Sequence, residues 1–148
     1  EESKFDQVME VNAKGPFLGL KAAIPAMTER GGGSFVITSS VAGVIGASSL
    51  SPYVMSKHAV VGLMKSASKE CASLNIRVNT VAPTFVETPM VKKFFKDKKF
   101  KDMVLKNIPL GRLAKESDIA TATVYLASNA SSMITGTSLV IDGGWTAQ

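Results

Sequence analysis

Gly31-Gly32-Gly33-Ser34-Phe35-Val36-Ile37-Thr38 decides the fold of this chain. Three glycines tolerate positive φ and stop a helix, and directly after them Phe35-Val36-Ile37-Thr38 is a short apolar, β-branched run suited to a strand buried on both faces. Upstream, Phe5, Val8, Met9, Asn12, Leu18, Leu20, Ala23, Ile24 and Met27 recur at helical spacing and predict a helix over residues 3–28. Downstream, a loop of small residues leads to Pro52, which opens a second helix with Val54, Ala59, Val60, Leu63, Met64, Ala67 and Cys71 as its apolar positions. Ile76-Arg77-Val78-Asn79-Thr80-Val81 reads as a second strand and Ser138-Leu139-Val140-Ile141 as the last, closed by Asp142-Gly143-Gly144. A third helix is expected over residues 117–128, opened by the N-cap pattern of Ser117-Asp118. Helices alternating with short apolar strands predict an α/β fold with a parallel sheet of three strands and about three main helices. The first strand then has no second neighbour within the chain, which leaves an open edge.

With 148 residues, 45% hydrophobic and 20% charged, the chain is long enough for one core and too short for two ordinary domains. It opens on Glu1, Glu2 and Ser3, without an initiator Met, and helical periodicity is under way by Phe5, so it is expected to be a portion of a longer protein. No apolar run approaches the roughly 20 residues that cross a bilayer, so no membrane association is expected. Cys71 is the single cysteine; no intrachain disulfide is possible, and a reducing, cytoplasmic setting is expected, with Cys71 an inert buried thiol. The net charge of +5 is concentrated in Lys92, Lys93, Lys96, Lys98, Lys99, Lys101 and Lys106. These are interleaved with Phe94, Phe95, Phe100, Met103 and Val104, the pattern of a mobile amphipathic segment with a solvated basic face. No nucleic-acid-binding motif accompanies them, and no nucleic acid is expected as partner.

Tyr53 and Lys57 lie four positions apart on one predicted helix, hence on one face about a turn apart. A phenol is a poor acid–base group at neutral pH unless a nearby ammonium favours its ionised form, which is what Lys57 could supply. Ser40 falls just past the C-terminal end of the first strand, the end at which open parallel sheets bind ligands. Its hydroxyl suits either a hydrogen bond to a substrate carbonyl or an N-cap. Asn12 interrupts the apolar face of the first helix with an amide, the sign of a bound water or a local backbone irregularity.

These residues resemble the short-chain dehydrogenases/reductases. The likeness rests on Gly33-Ser34-Phe35-Val36-Ile37-Thr38-Ser39-Ser40-Val41-Ala42-Gly43 followed by Tyr53-Val54-Met55-Ser56-Lys57, and on three more blocks in order. They are Val11-Asn12-Ala13-Lys14-Gly15, then Ile76-Arg77-Val78-Asn79-Thr80-Val81-Ala82-Pro83 with Thr88-Pro89-Met90, and last Thr135-Gly136 with Asp142-Gly143-Gly144. The resemblance covers essentially the whole chain and implies the C-terminal, catalytic part of a doubly wound Rossmann-type domain. It implies Tyr53 as general acid or base, Ser40 as the group that polarises the substrate oxygen, and Lys57 as the residue that assists Tyr53 and holds the nicotinamide ribose. Asn12 would keep a water that links Lys57 to solvent, while Pro83, the backbone of Val86 and the Thr88 hydroxyl would hold the carboxamide. The cofactor would be NAD or NADP and the substrate a small alcohol or carbonyl compound.

The same resemblance implies a homo-oligomer packed through the long helices, whose apolar positions cover more than one face. Residues 86–107 are long and Lys-rich, with Pro89 near their start and Pro109 just beyond their end, the composition expected of a substrate lid. Thr84 stands where the family most often has glycine, and its side chain is expected to narrow the approach to the nicotinamide ring. The Gly-rich turn that would seat a pyrophosphate against a helix start has no counterpart, since Gly31-Gly32-Gly33 precedes a strand and Gly143-Gly144 follows one. The N-terminal phosphate-binding half is therefore expected to be missing from these residues. The alternative to an oxidoreductase is a catalytically incompetent fragment that persists as a self-associating module.

Overall fold

The computed structural model describes residues 1–147. Glu2–Met9 (α1), a π-helical turn Glu10–Lys14 and Gly15–Glu29 (α2) run as one rod, because the residues at their junctions all keep right-handed helical dihedrals. The rod ends on Gly31 and Gly32, both at positive φ. A Cβ on Gly32 would stand 2.7 Å from the Asn75 amide nitrogen, so the close crossing of these two turns requires glycine. The crossing is tied by hydrogen bonds from Gly33 N to Asn75 O (3.1 Å) and from the Asn75 amide to Gly31 O (2.9 Å).

Strand Gly33–Thr38 (β1) follows, then a 3₁₀ turn Val41–Gly43, helix Ser51–Glu70 (α3) and strand Ile76–Pro83 (β2). Short helices Pro89–Phe94 (α4) and Lys98–Lys106 (α5), helix Glu116–Ala127 (α6) and strand Ser138–Ile141 (β3) complete the order. The sheet is parallel throughout, in the order β1-β2-β3, with Phe35 opposite Val78 and Val81 opposite Leu139. Among the described residues β1 pairs only with β2, which leaves its other side open as the sequence predicts.

One face of the sheet carries the main core. Ile37, Ile76 and Val78 pack against Leu20 of α2 and Val60, Met64, Ala67 and Cys71 of α3, all buried. The alternate residues face α6: the Ser34 hydroxyl donates to Leu126 O (2.8 Å). On this side Arg77 donates to Ile134 O (3.1 Å) and Ser128 O (3.0 Å), and the fully buried Asn79 donates to Ile134 O (2.8 Å) and accepts from Thr137 N (3.1 Å). These bonds clamp the chain leading into β3, and every polar group they bury has a partner.

Two expectations are corrected. The first helix is not α-helical throughout but contains the π turn. The last helix begins at Glu116, one residue before the expected Ser117, with Lys115 as its N-cap. Asp118 acts from the third helical position, accepting from Lys115 N (2.8 Å), so it satisfies a helix-start donor without being the cap. The amphipathic segment within residues 86–107 folds as α4 and α5, which close on a second hydrophobic cluster of Val104, Ile108 and Leu113 with Phe85, Val91, Phe95, Phe100, Leu105 and Trp145. The lysines occupy the outer surface of these helices, as amphipathic spacing requires.

Candidate active site

Tyr53 and Lys57 sit in the first two turns of α3, with the Lys57 Nζ 5.6 Å from the centre of the Tyr53 ring. The Nζ donates to Thr38 O at the end of β1 (3.1 Å). The Tyr53 hydroxyl forms no hydrogen bond with any described residue and is free for a ligand. Burial holds the Lys57 ammonium below the usual lysine value of 10.5.

Ser40 follows β1 with extended backbone and caps the 3₁₀ turn, its Oγ accepting from Ala42 N (3.2 Å). The same hydroxyl donates to Pro83 O at 3.5 Å, the outer limit of a hydrogen bond, so its proton is loosely held. The cap and the substrate-facing donor, left as alternatives by the sequence, are therefore compatible. The turn is pressed against α3 at Gly43, where a Cβ would lie 2.7 Å from Lys57 O. The buried Ser39 hydroxyl donates to that same carbonyl (3.1 Å).

Asn12 lies in the π turn, where Gly15 N bonds to Glu10 O. Pro16 has no N–H, so the Asn12 carbonyl lacks the donor that an α-helix would supply four residues on. The irregularity read from Asn12 thus has a covalent cause, the Pro16 ring. Its side-chain amide donates to Ser56 Oγ (3.2 Å), and that hydroxyl donates to Tyr53 O (2.7 Å). Ser56 is fully buried and couples the π turn to the turn that carries Tyr53 and Lys57.

Beyond β2, Val86 forms a lone parallel bridge with Ala114. Glu87 N donates to Ala114 O (2.9 Å) and Ala114 N to Phe85 O (3.1 Å), while Val86 N has no partner among the described residues. Thr88 caps α4, its Oγ1 accepting from Val91 N (3.3 Å), which leaves the hydroxyl proton available. Thr38, Pro83, Val86 and Thr88 line an open hollow of about 480 Å³, closed on its other side by Glu116, Ile119, Ala120, Thr123 and Val124 of α6.

Thr84 does not line this hollow. Its side chain borders a separate recess of about 200 Å³ with Leu110, Arg112, Asp118 and Asp142, where its buried hydroxyl has no partner. The sequence reading missed Thr38, Ser39 and Ser56, whose contributions are a backbone carbonyl and two buried hydroxyls. Only the adjacency of Ser39 to Ser40 and of Ser56 to Lys57 pointed to them.

A family model described as enoyl-(acyl carrier protein) reductase matches residues 1–146. The chain belongs to the short-chain dehydrogenase/reductase family. It is 42% identical over 144 residues to 3-oxoacyl-(acyl-carrier-protein) reductase FabG of Thermotoga maritima, covering 97% of this chain and 58% of that protein. It is 38% identical to human dehydrogenase/reductase SDR family member 4, covering 97% of this chain and 51% of that one. Among solved structures, a gluconate 5-dehydrogenase from Burkholderia cenocepacia in complex with NADP and tartrate superposes with a TM-score of 0.96 at 31% identity. That match spans all of this chain and 58% of the other. A 4-hydroxyisoleucine dehydrogenase complexed with NADH matches at 0.95 and 34% identity, over all of this chain and 61% of the other. The chain thus spans a little over half the length of the relatives it matches. Among the described residues no helix is long and apolar enough to cross a membrane, and no cluster of His, Cys, Asp and Glu is suited to a metal.

Burial also pushes the Cys71 thiol up, reinforced by the Glu70 carboxylate beside it, which keeps the thiol protonated and unreactive. For Lys57, a folded-state pKa below 10.5 means that the unfolded chain binds the proton more tightly, so stability rises with pH between the two values. Lys57→Met, which keeps the apolar stem, is expected to melt above wild type near pH 7. Melting curves should show that advantage narrowing as pH approaches 10.5; an advantage that grows with pH would contradict the burial argument.

Proposed function

We propose that this chain is the catalytic portion of an NAD(P)-dependent oxidoreductase that moves a hydride between nicotinamide and an alcohol or carbonyl substrate. The observation that carries the reading is the convergence of a free Tyr53 hydroxyl, the Lys57 ammonium and the loosely held Ser40 proton at the C-terminal end of one parallel sheet. Tyr53 gives a proton to the substrate oxygen in reduction and takes it in oxidation, and Ser40 donates a hydrogen bond to the same oxygen. Lys57, with its charge beside the phenol ring, favours the anion that forms when the proton leaves. With a dinucleotide bound, it would exchange its bond to Thr38 O for one to a ribose hydroxyl. The Asn12 carbonyl, which Pro16 deprives of its usual α-helical donor, accepts from a water that returns protons from solvent to Lys57.

The hollow beside Pro83 suits a nicotinamide. It is open enough for the ring, and the unpartnered Val86 N–H and the Thr88 hydroxyl offer two donors to a carboxamide. The bound dinucleotide supplies or accepts the hydride; the protein supplies position and charge. The length of the relatives supports assigning the pyrophosphate to residues outside this chain, because no glycine cluster here joins a strand end to a helix start. A single free, buried thiol suits a reducing, cytoplasmic setting. Residues 86–107 act as the substrate lid, moving as a helical unit.

Exposed Val11, Phe17 and Leu18 on the first rod and Met55 on α3 support a homo-oligomer joined through these helices. Light scattering on the full-length protein at micromolar concentration should show a dimer or larger; a monomer would remove that part of the proposal. In the full-length protein, Tyr53→Phe should lower turnover by about 10²–10⁴ while nicotinamide dinucleotide affinity stays within a few-fold. Steady-state rates and calorimetry check this together, and a variant that kept more than about a tenth of the activity would rule out Tyr53 as the acid.

A further inference from the structure

The turn after β3 reaches back to the lid. Asp142 is buried and accepts from Gly144 N (2.9 Å), Thr146 N (2.7 Å) and the Thr146 hydroxyl (2.7 Å). Burial alone would raise its carboxyl, but these bonds outweigh it and hold the group ionised, below the usual carboxylate range. Gly143 and Gly144 both take positive φ, which folds the chain down onto Ile108 and Pro109. Leu110 N seals the approach by donating to Gly143 O (3.1 Å).

The fold of that turn delivers Trp145 onto Phe85, with ring centres 5.8 Å apart and planes 24° from parallel. Phe85 is the hub of the aromatic group: Phe95 and Phe100 each lie 5.8 Å from it, one tilted and one edge-on. It connects two regions, because Phe95 and Phe100 belong to the lid while Val86, the next residue, lines the hollow. A side chain that seats Phe85 therefore seats both the lid helices and the Val86–Thr88 stretch that lines the hollow.

We infer that Trp145 is a positioning residue for catalysis, which fixes Phe85 and through it the α4–α5 lid and the Val86–Thr88 donors. The inference rests on the proposed reading of the hollow as the nicotinamide site. Trp145 touches none of the reacting groups; it acts through the Asp142 turn on one side and Phe85 on the other. The lid accordingly is a preformed unit hung on the last strand, and its opening requires Trp145 and Phe85 to part or to travel together.

The test uses the full-length protein with Trp145→Ala and Trp145→Phe, read by amide hydrogen exchange and by calorimetric titration with NAD and NADP. Trp145→Ala should speed exchange across 89–106 by about tenfold or more while leaving 76–83 unchanged, since only the local unit loses support. It should also weaken binding of the preferred dinucleotide by about tenfold, and Trp145→Phe should restore both to within about threefold, because a ring still stacks on Phe85. If Trp145→Ala does not fold, Trp145→Leu, which keeps apolar volume without the stack, carries the same comparison. Exchange that rises equally in 76–83, or a loosened lid with unchanged dinucleotide affinity, would overturn the positioning role. A wild-type protein that binds neither dinucleotide would sink the oxidoreductase reading instead, while the exchange comparison still judges whether Trp145 holds the lid.

Discussion

The seating of α3 on the β1–β2 sheet is the constraint from which the rest of the site follows. Val60, Met64, Ala67 and Cys71 bury one stripe of the helix against Ile37, Ile76 and Val78, at about 1.5–3 kcal/mol for each fully buried large aliphatic side chain. That stripe sets the rotation of the helix and so decides where its exposed first turns point. With the core stripe down, Lys57 reaches Thr38 O at the C-terminal end of β1 with Tyr53 beside it, while Ser40 just past that end reaches Pro83 O at the end of β2. The approach is close enough that Gly43 leaves no room for a side chain and that Ser39 can bond to Lys57 O. Any change that lifted α3 from the sheet would separate the Tyr53 turn from the Ser40 turn before it disturbed either one internally.

The π turn plays a second part in this arrangement. A helix interrupted by Pro16 must leave the Asn12 carbonyl without its usual donor, and the π register takes up the extra residue in place of a sharp kink. The outcome is an amide whose side chain holds Ser56, so the irregular turn gives structural support to the turn that carries Tyr53 and Lys57. The buried Ser56 hydroxyl is satisfied on both sides, as a polar group in a core must be if it is not to weaken the fold.

Much of this was legible in the sequence because the strands are short, β-branched and bounded by glycine or asparagine. Residues 138–141 form the strand expected of them, and the strands expected at 35–38 and 76–81 are each extended by two residues. Tyr53, Lys57 and Ser40 were legible because helix periodicity and strand polarity place them without knowledge of packing. The lid was not. Its lysines suggested a solvated, mobile stretch, but the aromatic residues between them find Phe85 and Trp145, which lie before and well after it in the chain and cannot be paired by local pattern. The surroundings of Thr84 were not legible for a similar reason: its position after Pro83 was plain, but which of two neighbouring hollows its side chain enters depends on how β3 and residues 110–118 close around it. Lys115 displaced Ser117 as the cap because Asp118 serves the helix start from inside the first turn.

Membership in an oxidoreductase family rests on a match along nearly the entire chain, whereas the roles of individual residues rest on geometry. The geometry makes one demand that a structure can meet or refuse. A crystal structure of the full-length protein with bound NADP tests it most directly. The account predicts the carboxamide against Val86 N and the Thr88 hydroxyl, with a ribose hydroxyl replacing Thr38 O as the partner of the Lys57 ammonium. A nicotinamide seated elsewhere, with Lys57 still bonded to Thr38 O, would contradict it.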